Sequence, residues 1–301
     1  MKITLARHYG MCFGVRDALR TTHDLASGKA VTVLGELVHN AVVREHLRTL
    51  GVRDGSLEDL ATAETEDVIV TAHGASETRR RAWVAAGYRV TDTTCPLVHR
   101  AHKALADLVA RGYAPVVIGQ PNHVEVRGLT GDFPDARVVA ELADVADLPF
   151  AAKIGIVSQT TQPIAKVREI VAAIAAARPG AEVEFKDTVC QPTKDRQIAL
   201  DELCAENEVV VVVGGHNSNN THQLVETARK LGVTAYHVER PDELRPEWFR
   251  NVKTVGVTAG TSTLDESVMA VHDRLQQVAS AQETAGVLTK MARAGFRAAT
   301  T

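Results

Sequence analysis

The sequence predicts an α/β fold built from three pseudo-equivalent α/β domains with mostly parallel sheets. Three observations lead there. First, short apolar, β-branched runs recur along the chain: "AVTVLG", "EDVIVTAHG", "YRVTDTTC", "APVVIGQ", "AKIGIVSQ", "EVEFKDTVC", "EVVVVVGG" and "VKTVGVTAG". The intervals between them are long enough for helices, the pattern of parallel strands covered on both faces. Second, Cys12, Cys95 and Cys190 each end a strand or open a helix, 83 and 95 residues apart. Third, one strand–helix unit beyond each cysteine stands a polar residue: His39, His123 and Ser218. At the next strand end stand His73, Thr160 and Ser262. The chain thus reads as three copies of a unit of roughly 90 residues.

Taken in order, residues 1–13 supply an N-terminal strand and the first cysteine. Residues 14–95, 96–187 and 188–278 form the three α/β domains. Residues 279–301 form a C-terminal extension, whose end "AGVLTKMARAGFRAATT" is amphipathic and basic and is expected to be helical. A chain of 301 residues is long enough for three such cores. In parallel α/β sheets, ligands bind beyond the carboxyl ends of the strands. Three units around an axis would aim their polar strand ends at one cavity.

Composition excludes several classes. Net charge is −3 and aromatic residues are 4%, so a basic groove with stacking aromatics, as nucleic acid requires, is not expected. No window has the length of a membrane-spanning helix, and "MKITLARHYG" lacks the apolar core of a signal peptide. The expectation is a cytoplasmic protein without membrane or nucleic-acid partners. Phosphate-loop, dinucleotide and nucleophile-elbow signatures are absent.

Four cysteines in a reducing compartment argue against a disulfide framework. Cys204 shares a helical face with Leu200 and Leu203 and reads as core. The other three sit among Gly, Pro, Thr or Asp at element boundaries. Three thiolates suit zinc or an iron–sulfur cluster. No close C-x2-C pair of the zinc kind exists; single cysteines one per domain suit a cluster at a domain junction.

Of the twelve histidines, His8, His23, His46, His99, His102, His222 and His237 read as ordinary surface or core residues. His39, His73 and His123, with Ser218, Asn220 and Ser262, form a donor-rich set suited to an oxygen-rich anion such as a diphosphate. Helices opening after "GGHNSNN" and "AGTSTLD" would add backbone N–H groups. The same residues also suit plain helix caps, and the two roles are compatible. Glu125, two residues after His123, is a candidate general acid if its surroundings raise its pKa. Its neighbours Val124 and Val126 equally suit an ordinary strand or turn.

These residues carry a resemblance. From "GMCFGVRDAL" to "GVTAGTST", the chain resembles the IspH/LytB family of 4-hydroxy-3-methylbut-2-enyl diphosphate reductases. The matching segments are "GELVHN", "TAHGAS", "DTTCPLV", "GQPNHVEVRG", "SQTT", "DTVCQPTKDRQ" and "GGHNSNNTHQL". The resemblance implies a cloverleaf of three α/β domains around a 4Fe-4S cluster held by Cys12, Cys95 and Cys190, with one iron open. It implies a substrate diphosphate held by His39, His73, His123, Ser218, Asn219, Asn220 and Ser262, with Thr160 and Glu125 near the substrate hydroxyl. The implied reaction is reductive dehydration to isopentenyl and dimethylallyl diphosphate, the last step of the non-mevalonate pathway. The implied partner is an external one-electron donor of the ferredoxin or flavodoxin type. Gln120, Asn122 and Val124 depart from the family's usual Gly-His-x-Gly-His-Pro-Glu-Val, and Asn219 replaces a serine. Two further readings fit these departures: a paralogue acting on another anion, or a cluster-bearing redox sensor or anion-binding protein without turnover.

Overall fold

The computed structural model describes residues 1–38 and 41–298, with side chains described at 1–38 and 43–284. Among the described residues, twelve strands form three four-stranded sheets in which every ladder is parallel. The chain divides into two compact units, Cys12–Asp195 and a second made of Met1–Met11 with Arg196–Thr301.

The Cys12–Asp195 unit carries two sheets. The first is built from β2 (Val31–Leu34), β3 (Val52–Gly55), β4 (Asp67–Val70) and β5 (Arg89–Asp92), in the order β3-β2-β4-β5. The second is built from β6 (Ala114–Ile118), β7 (Arg137–Val139), β8 (Lys153–Ser158) and β9 (Glu182–Phe185), in the order β7-β6-β8-β9. Its helices are α1 (Phe13–Ala26), α2 (Ala41–Thr49), α3 (Glu77–Ala85), α4 (Pro96–Ala110), α5 (Val124–Thr130) and α6 (Ile164–Ala177). The central strands are mostly apolar and buried, as strands with helices on both faces must be. Helix α4 starts on Pro96, whose fixed φ suits a first turn. It buries Val98, Ala101, Leu105 and Leu108, one stripe at helical spacing. Trp83 of α3 is completely buried, and its indole N–H donates to the Leu57 carbonyl at 3.0 Å.

The other unit carries β1 (Lys2–Leu5), β10 (Val209–Val213), β11 (Thr234–Val238) and β12 (Thr254–Ala259), in the order β1-β12-β10-β11. Five consecutive valines make up β10, all buried, each contributing about 1.5–3 kcal/mol of apolar transfer. Helix α8 (Asn219–Lys230) covers one face through Leu224, Val225 and Ala228. Helix α9 (Asp265–Ala298) covers the other through Val268, Val271, Leu275 and Val278. Of the C-terminal extension, residues 299–301 lie outside the described residues. Helix α7 (Gln191–Glu206) follows β9, and its Leu200, Leu203 and Cys204 pack into the core beside β10.

The three sheets share one topology. Strands β1, β5 and β9 occupy the same edge; β12, β4 and β8 lie next to them; then come β10, β2 and β6, and last β11, β3 and β7. The N-terminal strand therefore completes the sheet formed by the last third of the chain. In each sheet the chain order reverses between the two central strands. That switch point is where such sheets hold ligands.

Candidate functional site

The three cysteines occupy one structural position. Cys12 is the N-cap of α1 and Cys95 the N-cap of α4, while Cys190 immediately precedes α7. These helices follow the three equivalent edge strands β1, β5 and β9. A sulfur at a helix N-terminus faces unpaired N–H groups and the positive end of the dipole, which favours thiolate. All three thiols are free. Burial pushes the Cys95 and Cys190 thiols up. The amides of Leu97 and Val98 pull Cys95 back, and Thr193 does so for Cys190, its Oγ1 lying 3.1 Å from the sulfur. The charges of Cys12 and Glu125 raise both thiols. Cys12, Cys95, Cys190 and Glu125 thus share one electrostatic neighbourhood. Gly14 keeps it compact: a Cβ there would stand 2.5 Å from the Cys95 sulfur.

The switch point of the second sheet supplies the acid–base groups. Beyond β6, His123 is the N-cap of α5, and its Nδ1 accepts from the Glu125 amide at 3.1 Å. An accepting Nδ1 leaves the ring proton on Nε2. Glu125, in the first turn of α5, is 1% exposed. Beyond β8, the Thr160 amide donates to its Oε1 at 2.6 Å and the Thr160 hydroxyl to its Oε2 at 3.0 Å. Burial drives the carboxyl up to about 7 against the opposing pull of those two bonds. A carboxyl so placed carries or releases its proton near neutral pH. The ring of His73, beyond β4, meets that of His123 edge to face at 5.4 Å. His39, beyond β2, lies outside the described residues.

The switch point between β10 and β12 supplies hydroxyls and amides. Ser218 is the N-cap of α8 and accepts from the Thr221 amide at 3.4 Å. Asn219 is the first helical residue. Asn220 Oδ1 accepts from the Thr261 amide at 3.0 Å, tying the loop after β10 to the loop after β12. Ser262 is buried in the latter loop. A helix N-terminus of this kind, with hydroxyl and amide side chains around it, suits an anion. Capping and anion binding draw on the same residues.

Two features of these loops escape sequence reasoning. Gln159, fully buried, accepts the Gln120 amide at 3.1 Å and the Gln162 side-chain amide at 3.1 Å, so it braces the loop that leads to His123. His237 Nε2 donates to the Gly214 carbonyl at 2.9 Å, and His222 Nε2 to the His216 carbonyl at 2.7 Å; both hold the 214–220 loop. Nothing in their spacing marks these contacts, because each joins segments far apart in the chain or depends on loop shape. Counting along the chain also pairs His73 with Thr160. In space the equivalent of Thr160 is Ala72: the Cys95 amide donates to the Ala72 carbonyl at 3.0 Å as the Cys190 amide does to Thr160 at 2.9 Å.

The family described as LytB protein matches residues 3–276. The chain belongs to the LytB family. It is 36% identical over 287 residues to the 4-hydroxy-3-methylbut-2-enyl diphosphate reductase of Aquifex aeolicus, covering 93% of this chain and 98% of that protein. It is 38% identical over 281 residues to the protein of the same name from Ralstonia nicotianae, covering 91% and 86%. Among solved structures, it superposes on the E-1-hydroxy-2-methyl-but-2-enyl-4-diphosphate reductase of Plasmodium falciparum with a TM-score of 0.83 at 28% identity, covering 89% of this chain and 86% of that one. A second, the (E)-4-hydroxy-3-methyl-but-2-enyl diphosphate reductase described as the terminal enzyme of the non-mevalonate pathway, matches with a TM-score of 0.66 at 35% identity, covering 92% of this chain and 100% of that one. Among the described residues of this LytB-family chain, no helix is long and apolar enough to cross a membrane.

Proposed function

We propose that this chain is a 4-hydroxy-3-methylbut-2-enyl diphosphate reductase, catalysing the last step of the non-mevalonate pathway. The allylic alcohol takes up two electrons and two protons, its C–O bond breaks, water leaves, and isopentenyl or dimethylallyl diphosphate forms. The observation that carries the reading is a buried carboxyl, Glu125, poised near neutral pH, whose charge acts on Cys95 and Cys190, two of three cysteines at equivalent helix N-termini. The curated relatives bear the matching name.

Cys12, Cys95 and Cys190, all free thiols and each at the start of the helix that follows an equivalent edge strand, are the residues that would hold a 4Fe-4S cluster. Such a cluster would supply single electrons and, with three cysteine ligands, one iron open to an oxygen ligand. Glu125 holds the proton that accompanies the departing water, and Thr160, whose hydroxyl reaches its Oε2, orients it and carries the proton to the substrate hydroxyl. The residues that the family resemblance assigns to the diphosphate are His39, His73, His123, Ser218, Asn219, Asn220 and Ser262. Two electrons per turnover come from an external ferredoxin- or flavodoxin-type donor. Free thiols that must stay reduced fit a cytoplasmic setting.

The test is an anaerobic assay with the predicted diphosphate, dithionite and a viologen, run beside iron and sulfide analysis. Turnover with roughly four irons per chain is expected. A colourless protein holding stoichiometric zinc and no activity would overturn the reading.

A further inference from the structure

Two of the three cysteine loops share a construction that the cysteines alone do not require. Both read Asp-Thr-x-Cys: "DTTC" after β5 and "DTVC" after β9. In the first, Asp92 Oδ1 accepts the Thr94 amide at 2.9 Å, and the Thr94 hydroxyl as well. In the second, Asp187 Oδ1 accepts the Val189 amide at 3.2 Å. Each aspartate thereby closes a turn over the residue just before its cysteine. The other oxygen takes a cation in both: Asp92 Oδ2 pairs with Arg80 of α3, and Asp187 Oδ2 with Lys194 of α7 at 2.7 Å. The following threonine ties the loop to the neighbouring strand. Thr93 donates to the Val70 carbonyl at 2.6 Å and Thr188 to the Ser158 carbonyl at 2.7 Å. The cysteine amides then bond to Ala72 and Thr160.

The aspartate turn, the threonine tie and the cysteine amide bond thus recur at the same offsets from the cysteine on two different sheets. A helix cap would need only one of them. Together they restrain the cysteine backbone between the strand end and the helix start, and so the place from which the sulfur projects, before any metal arrives. Rigid support of this kind is how proteins hold ligands at a metal centre.

We propose that Asp92 and Asp187 are positioning residues that fix the sulfurs of Cys95 and Cys190 for the metal cluster, which rests on the reading that these cysteines are its ligands. Asn in either place keeps the turn but loses the charge; Ala loses both. The experiment uses the full chain, loaded anaerobically with iron and sulfide. Three quantities are read: iron per chain, the electron paramagnetic resonance spectrum, and the rate at which a chelator bleaches the cluster absorption. Asp92→Ala and Asp187→Ala should bleach about 10–100-fold faster than the parent, with an altered spectrum, and the two Asn variants should fall between.

Asp67→Asn is the control. Asp67 pairs with Lys29 and Arg89 at the opposite end of β4, where both cations are largely exposed, so loss of an ion-paired aspartate there tests stability alone. It should bleach like the parent. If an Ala variant fails to fold, the Asn variants carry the comparison. Normal iron uptake with parental bleaching and spectra in both positions overturns the proposal alone; a parent chain that takes up no iron overturns the cluster reading and the proposal with it.

Discussion

Thr160 donates twice to Glu125, from its amide to Oε1 at 2.6 Å and from its hydroxyl to Oε2 at 3.0 Å. Both bonds favour the ionised carboxylate, yet burial outweighs them and lifts the carboxyl to about 7. The group therefore gains and loses its proton near neutral pH. It comes from one loop of a sheet switch point and its partner from the other, so closing the sheet assembles the pair.

A proton donor with that value should lose effectiveness as pH rises. The turnover rate of the iron-loaded enzyme, measured anaerobically from pH 6 to 9, should fall above about 7. Glu125→Gln should lower it by about 10²–10⁴-fold at every pH and flatten the profile. A profile that keeps its shape in Glu125→Gln would assign the proton to another group.

The same carboxyl should leave a mark on stability. Its folded value lies above its ordinary value of 4.5, so the native state holds the proton more tightly than the unfolded chain. The resulting stabilisation is complete below about 4.5 and is lost as pH climbs through about 7, by on the order of 3 kcal/mol. Gln cannot ionise. In urea unfolding at pH 5 and pH 8, Glu125→Gln should therefore gain on the parent by about that amount at the higher pH. Equal slopes in the two proteins would mean that the carboxyl is not desolvated.

Gly14 stands where no side chain fits. A Cβ there meets the Cys95 sulfur at 2.5 Å and its Cβ at 3.0 Å. Gly14→Ala should displace Cys95 and cut iron per chain at least severalfold, whereas Gly28→Ala, just beyond the same helix with nothing within 4 Å, should keep full iron. Iron analysis after anaerobic loading decides it. Equal iron in both variants would show that the loop yields.

The central and buried strands were legible because their sequences are continuous and apolar: "VVVVV" has no other plausible home. Strands β3, β7 and β11 were not. They are edge strands of three to five residues, and "VRDG" and "RVV" carry charge to solvent, so no run of sequence distinguishes them from loop. Pairing of β1 with β12 joins residues 2–5 to 254–257, a contact that no local pattern encodes. At the site, the cysteines were legible because the same residue recurs in the same setting three times. The anchoring roles of Asp92, Asp187 and Gln159 were not. Each depends on which carbonyl or amide a turn brings within about 3 Å, and that follows only from the folded backbone.

Asn220 links two loops that the proposed diphosphate would touch together. Its Oδ1 accepts the Thr261 amide at 3.0 Å, one residue before Ser262. Asn220→Ala removes that tie while leaving the Ser218 cap and the acid–base pair intact. If the diphosphate is bound here equally in ground and transition states, the loss should raise KM, by roughly tenfold for one hydrogen bond to a charged ligand, with kcat little changed. Asn220→Asp keeps the acceptor but adds a negative charge beside an anion, and should raise KM further. If both variants lower kcat and leave KM alone, the two loops serve the reacting carbon rather than the phosphates, and the assignment of this switch point to the diphosphate fails.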